Sequence, residues 1–199
     1  MSADPVPSPR ADLAVVRSSC RTARRSLGGR ERALAQEQIA GGLLGLDELR
    51  GPGRIALFLP TDGEVDLGGI HDQLLARRWE LFLPVIGADT SMRFRPFRPG
   101  DPMVPNRHGI DEPQGDARSD RRADDLGVVV VPCVAVDRSR RRAGFGAGYY
   151  DRALADHTAR TVTIGVAFEC QVVDELPHRP WDVPMDVVVT EARVLRPEA

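Results

Sequence analysis

Four consecutive valines, Val128–Val131, constrain this 199-residue chain more than any other stretch. β-Branched residues without polar alternation suit a strand covered on both faces, as in a parallel α/β sheet. Pro132 ends the regular pairing, and a basic segment, Arg138 to Arg142, follows. Gly144, Gly146 and Gly148 then fall at every second position, before Tyr149-Tyr150-Asp151-Arg152 open a helix expected to run to about His157. Strand, glycine loop and helix in that order turn backbone N–H groups toward an anion. Alternate glycines can equally make an ordinary turn. Two familiar phosphate motifs are excluded. All 27 basic residues are arginine, so the lysine of a Walker loop is missing, and the Rossmann Gly-x-Gly-x-x-Gly spacing is absent here. The surroundings favour an anion nonetheless: guanidinium groups lie upstream, and two phenols and a carboxylate lie downstream.

The run Arg142-Ala-Gly-Phe-Gly-Ala-Gly-Tyr-Tyr-Asp-Arg152 resembles the signature of the 5-formyltetrahydrofolate cyclo-ligase (5,10-methenyltetrahydrofolate synthetase) family. The preceding Val131 to Arg138 is similar to that family's strand and loop. Further matches keep the family's order: Phe58-Leu-Pro with Glu64, Gly109-Ile-Asp-Glu-Pro113, Ile164-Gly-Val-Ala-Phe168 with Gln171, and Asp182 to Glu191 with Asp186. The resemblance covers most of the chain. It implies an α/β fold, a single domain over residues 11–199 with a mostly parallel central sheet flanked by helices (Rossmann-like, three layers). Residues 1–10 are expected to be a disordered tail.

The same resemblance implies an enzyme that uses ATP and Mg²⁺ to convert 5-formyltetrahydrofolate to 5,10-methenyltetrahydrofolate, ADP and phosphate. ATP contacts would come from Arg17, Arg142, Ala143, Gly144, Phe145, Gly146, Ala147, Gly148, Tyr149 and Tyr150. Substrate contacts would come from Leu59, Glu64, Phe145, Gly146, Ala147, Gly148 and Tyr149, with the Glu64 carboxylate on the pterin. Arg142 and Tyr150 take the catalytic roles, while Asp151 and Asp186 converge on the metal. The family's Lys-x-x-x-Arg pair on the first helix is half present. Arg17 fits the arginine, but the lysine's place falls near Leu13, so Arg10 or a neighbour would have to substitute.

Taken on their own, these residues have plainer readings. Glu64 in the Pro60–Asp66 loop is a surface charge, although ligands bind outside the carboxyl ends of strands in open α/β sheets. Asp186 is turn chemistry at a strand start. Arg17, Arg21, Arg24 and Arg25 form a solvated face of a helix whose apolar stripe is Leu13, Val16, Cys20 and Ala23. Gly28-Gly29 ends that helix and a second follows over Glu31 to Leu44. Strands are expected at Arg54–Leu59, Glu80–Ile86, Ser91–Phe97, Thr161–Phe168 and Val187–Thr190, with a helix over Leu67–Arg78. Arg93, Arg95 and Arg98 alternate with aromatics as a single-stranded nucleic-acid platform would, though a charged sheet edge is simpler. Residues 99–125 form a long loop over the site, and His178 and Asp182 lie near enough to help orient the Asp186 end.

Composition narrows the class. Hydrophobic content of 42% and charged content of 28% are ordinary for a globular domain. A net charge of −2 argues against general nucleic-acid binding. No apolar stretch approaches ~20 residues, so no membrane partner is expected, and the location expected is cytoplasmic. A monomer is expected. Cys20, Cys133 and Cys170 are too scattered for a metal pair or a disulfide framework; Cys133 and Cys170 read as buried small hydrophobes. Two rivals stay open: a sugar-phosphate isomerase or CoA-transferase-like enzyme on a related scaffold, and a non-catalytic module binding folate or nucleotide.

Overall fold

The computed structural model describes residues 9–155, 160–177 and 184–197. His157, His178 and Asp182 therefore lie outside the described residues, as does the tail before Pro9. Among the described residues there are four α-helices: α1 (Pro9–Ser26), α2 (Gly29–Leu44), α3 (His71–Ala76) and α4 (Tyr149–Ala153). The strands are β1 (Gly53–Ala56), β2 (Trp79–Ile86), β3 (Met92–Pro96), β4 (Met103–Pro105), β5 (Asp111–Pro113) and β6 (Val128–Pro132). They continue with β7 (Ala135–Asp137), β8 (Arg142–Ala143), β9 (Val162–Val166), β10 (Val172–Val173), β11 (Val187–Val189) and β12 (Val194–Leu195).

The main sheet runs β12–β11–β9–β6–β1–β2–β3. Its inner strands β11, β9, β6, β1 and β2 pair in parallel, and β12 and β3 close the two edges antiparallel. The valine run lies at the centre, on β6. Val128 and Val130 face one core layer with Ile55, Ile164 and the α2 residues Ile39 and Leu43. Val129 and Val131 face the other, with Phe82, Phe94, Leu154 and the flanks of Tyr149 and Tyr150. All four valines are buried, as a strand covered on both sides requires. Helix α1 lays Leu13, Val16 and Cys20 against Ala135, Ala143 and Leu176 in a third, smaller cluster.

Several expectations change. The first helix starts at Pro9, inside the stretch read as tail, because a proline at the first helical position already has the right φ and needs no N–H acceptor. Leu67–Arg78 divides into a 3-10 turn, Gly68–Ile70, and α3. The basic segment after β6 belongs to a small sheet, β10–β7–β8, which the sequence does not suggest. Strand β3 takes the edge reading. Phe94 is buried, and Arg95 is held by Asp120 at 2.7 Å and by the Pro113 carbonyl, so the aromatics form no open platform. Cys170 is exposed rather than buried.

Candidate active site

A cleft of about 170 Å³ opens at the carboxyl ends of β1, β2 and β6. Phe58, Leu59, Thr61 and Glu64 line it from the turn after β1, Pro84 and Ile86 from β2, and Pro132 from the end of β6. Arg17 of α1, Arg142 of β8 and Gly144 to Asp151 complete one wall. The β4–β5 hairpin supplies Asn106, His108, Ile110, Asp111 and Glu112 as a roof. This is the end of a parallel sheet where ligands ordinarily dock.

The glycine loop is held open. Gly146 and Gly148 have φ of 101° and 72°, a region that only glycine enters freely. The N–H groups of Phe145, Gly146, Ala147 and Gly148 donate to no protein acceptor among the described residues. The Arg17 Nε donates to the Gly144 carbonyl at 2.7 Å, and its guanidinium lies beneath Gly146. Across the loop, Arg142 Nη2 donates to Asp151 Oδ1 at 2.6 Å. Arg142 is 9% exposed and Asp151 72%, so the carboxylate stands at the rim and the cation below it. Of the basic segment, only Arg142 lines the cleft: Arg138 pairs with Asp174, Arg140 donates to the Met185 carbonyl, and Arg141 pairs with Asp137. Helix α4 has a single turn beyond the loop, so the loop amides, more than a helix dipole, make the cradle.

Asp186 does not join Asp151. It precedes β11 at the amino end of that strand, where its Oδ2 accepts from Thr163 N–H at 2.7 Å and Thr163 Oγ1 at 2.8 Å. It is absent from the cleft lining, and its carboxylate ties the start of β11 to β9. Among the described residues no three His, Cys, Asp or Glu side chains gather as a metal cluster.

The turn after β1 carries the strongest electrostatics. Glu64 is 6% exposed; its Oε2 accepts from Thr61 N–H at 3.1 Å, while its Oε1 has no partner. Burial pushes its carboxyl up to about 7. The surface-charge reading of Glu64 therefore gives way to a buried carboxyl aimed at the cleft. Two residues earlier, Asp62 takes Arg21 at 2.7 Å, Arg24 at 2.8 Å and Arg25. Burial alone would raise the Asp62 carboxyl, but these three guanidinium groups outweigh it and hold the group at about 2. Arg24 is fully buried, not part of a solvated face. Arg21 and Arg24 both lie 5.5 Å from the centroid of Phe145, so α1, the β1 turn and the glycine loop are clamped together. Asp62 was not apparent as a site residue. The signal available was the Thr61-Asp62-Gly63 turn facing arginines at helical spacing.

Tyr149 and Tyr150 play different parts. The Tyr149 hydroxyl meets Arg107 Nη2 at 2.7 Å and His108 Nε2 at 3.1 Å, which fastens the hairpin roof to α4. Glu112 Oε1 anchors the same hairpin by accepting from Ile86 N–H at 3.0 Å and Asn106 Nδ2 at 2.8 Å. The Tyr150 hydroxyl is buried without a partner and lines the cleft; burial, then the nearby Glu64, holds its proton on firmly. Gln171, part of a sequence match, is structural: it donates to the Cys133 and Val134 carbonyls at 2.7 and 2.8 Å.

Comparison with known proteins gives this cleft a context. The sequence model of the 5-formyltetrahydrofolate cyclo-ligase family matches residues 10–191. The 5-formyltetrahydrofolate cyclo-ligase of Haemophilus influenzae is 31% identical over 178 residues, covering 87% of this chain and 95% of that protein. Its counterpart in Mycolicibacterium smegmatis is 33% identical over 187 residues, covering 89% and 94%. The NMR structure of Aquifex aeolicus 5,10-methenyltetrahydrofolate synthetase aligns with a TM-score of 0.80 at 33% identity over 92% of each chain. The synthetase of Mycoplasma pneumoniae, at 24% identity and a TM-score of 0.73, covers 90% of this chain and supports the fold. With nearly the whole chain matched, it belongs to the 5-formyltetrahydrofolate cyclo-ligase family, a family of ligases.

Proposed function

We propose that the chain closes the ring of 5-formyltetrahydrofolate at the expense of ATP, yielding 5,10-methenyltetrahydrofolate, ADP and phosphate. One observation carries the reading: unpartnered backbone N–H groups and a buried carboxyl with a free oxygen share the same cleft. The first suits phosphates and the second suits the amino-pyrimidine edge of a pterin.

The formyl carbon is a poor electrophile. Its oxygen attacks the γ-phosphorus, ADP leaves, and the C–O–P linkage makes the carbon reactive. N10 then attacks that carbon, phosphate departs with the former formyl oxygen, and the N10 proton passes to solvent. Phosphoryl transfer asks mainly for positioning and for positive charge about the migrating group. Arg17 and Arg142 supply that charge on either side of the glycine loop. Leu59 and Phe58 wall the pterin, and Tyr150 offers a hydroxyl donor in the water-excluding floor. The hairpin roof keeps water from the activated intermediate.

The residues present fit one magnesium ion held by one carboxylate. Asp151 is exposed at the rim of the cradle, and magnesium takes most of its shell from phosphate oxygens and water. Such an ion would offset phosphate charge. No helix among the described residues is long and apolar enough to cross a membrane. A cytoplasmic location and a monomeric state are parts of the same proposal. The test is the absorbance of the methenyl product with and without ATP. Product that forms only with both substrates, with stoichiometric ADP, is expected; ADP release that is indifferent to the folate refutes the reading.

A further inference from the structure

Glu64 is nine-tenths buried, yet no cation among the described residues pairs with it. Its Oε2 holds one N–H, from Thr61, and its Oε1 holds nothing. Arg24, the guanidinium that acts on it most, sends Nε and Nη2 to Asp62, and its Nη1 makes no hydrogen bond, so its charge moderates the burial of Glu64 without pairing with it. None of the other groups facing it, among the described residues, forms an ion pair with it. Asp62 of its own turn is an anion, and Cys133 and Tyr150 are neutral, both held protonated by burial. Arg17 and Arg142 line the same cleft, but Arg17 donates to the Gly144 carbonyl and faces the glycine loop, and Arg142 pairs with Asp151. From the roof come Asp111, Glu112 and His108, two carboxyls and an imidazole engaged by Tyr149. An ionised carboxylate with one donor in such surroundings is unfavourable, whereas the neutral acid is tolerated.

Docking of an amino-pyrimidine edge reverses the preference. It presents two N–H donors side by side, and two acceptor oxygens meet them only when the carboxyl is ionised. From this geometry we infer that below neutral pH Glu64 carries a proton in the free protein and surrenders it to solvent as the folate docks, so that substrate binding is proton-linked. This rests on the pterin reading of the cleft given above. The sign follows from linkage. A group whose free-state value is near 7 and whose bound-state value is lower releases its proton on binding below about pH 7 and releases nothing above it. Affinity therefore falls roughly tenfold per pH unit below neutrality, until the bound form also protonates.

The test is calorimetry of 5-formyltetrahydrofolate binding to the full chain without ATP, in pairs of buffers of different ionisation enthalpy. Close to one proton should be released at about pH 6 and none at about pH 8. Glu64→Gln, which is neutral at both, should bind with buffer-independent heat and with a Kd that does not change between them. Binding by the unsubstituted protein with no buffer dependence at about pH 6 overturns the inference while leaving the proposed reaction standing. Proton release that persists in the glutamine variant overturns it too, by assigning the proton to another group. If that variant does not fold, the unsubstituted protein's two-buffer result decides alone. Absence of folate binding altogether overturns the proposed function, and this inference with it.

Discussion

Replacing Asp62 with asparagine removes a charge and leaves the shape, which makes its cost a measure of the clamp on α1. Three guanidinium groups converge on this carboxylate, and they are not equal. Arg21 and Arg25 are 40% and 56% exposed, so each pair contributes at most about 1 kcal/mol. Arg24 is fully buried and its Nη1 has no partner, so loss of Asp62 leaves an uncompensated interior cation. Breaking a buried pair from one side costs about 3–5 kcal/mol. Asp62→Asn keeps an oxygen acceptor, so the low end, about 3 kcal/mol, applies. In a chain of this size that lowers Tm by about 6–12 °C. Urea and thermal unfolding at pH 7 measure it directly. The pH dependence supplies a second check. A carboxyl held at about 2 when folded, against an ordinary 3.8, stabilises the fold above about pH 4 and loses that contribution as pH falls toward 2. The gap between the two proteins should therefore close over that window. Adding Arg24→Met to Asp62→Asn should recover most of the loss, because both charges then leave together. A deficit below about 1 kcal/mol at pH 7, or one unchanged by the second substitution, refutes the buried-cation argument.

Three further outcomes are expected. Glu64→Ala should raise the KM for the folate at least tenfold, with the KM for ATP moved less than threefold; equal loss of both would place Glu64 away from the pterin. Arg142→Ala should cost about 2–4 kcal/mol of transition-state stabilisation in kcat/KM, and a change under threefold would remove it from the migrating charge. Asp151→Ala should abolish magnesium-dependent turnover while costing only about 1 kcal/mol in unfolding, since the carboxylate is exposed although Arg142 is not; full activity in the variant would refute the single-carboxylate metal site.

The central strand was legible because four β-branched residues without alternation have few other uses, and the glycine loop because its spacing is local. What escaped was everything set by tertiary approach. Strands of two or three residues such as β8 and β10 have no period to detect. The carboxylate of Asp186 matches a motif, but the residue lies at the amino end of β11 and only the sheet register reveals the distance from the cleft. The arginine face of α1 reads as solvated because helical periodicity cannot say that the β1 turn folds back over it.

That last error has a physical lesson in a chain without lysine. Arg24 donates through Nε to the Asp62 carbonyl at 3.0 Å and through Nη2 to its carboxylate at 2.8 Å, a fork that one ammonium cannot reproduce. Arg17 uses Nε alone on the Gly144 carbonyl, so its two terminal nitrogens stay directed at the glycine loop. A planar cation can thus brace the backbone with one edge and face a phosphate with the other. Helix α1 applies the first use at Arg24, and at Arg17 it braces the backbone while leaving the other edge toward the glycine loop, which ties the stability of the β1 turn to the placement of charge beside that loop. Substitutions at Asp62 should therefore disturb Arg17, on the same helix as Arg21 and Arg24, and Phe145, which those two arginines cover, even though Asp62 itself does not line the cleft.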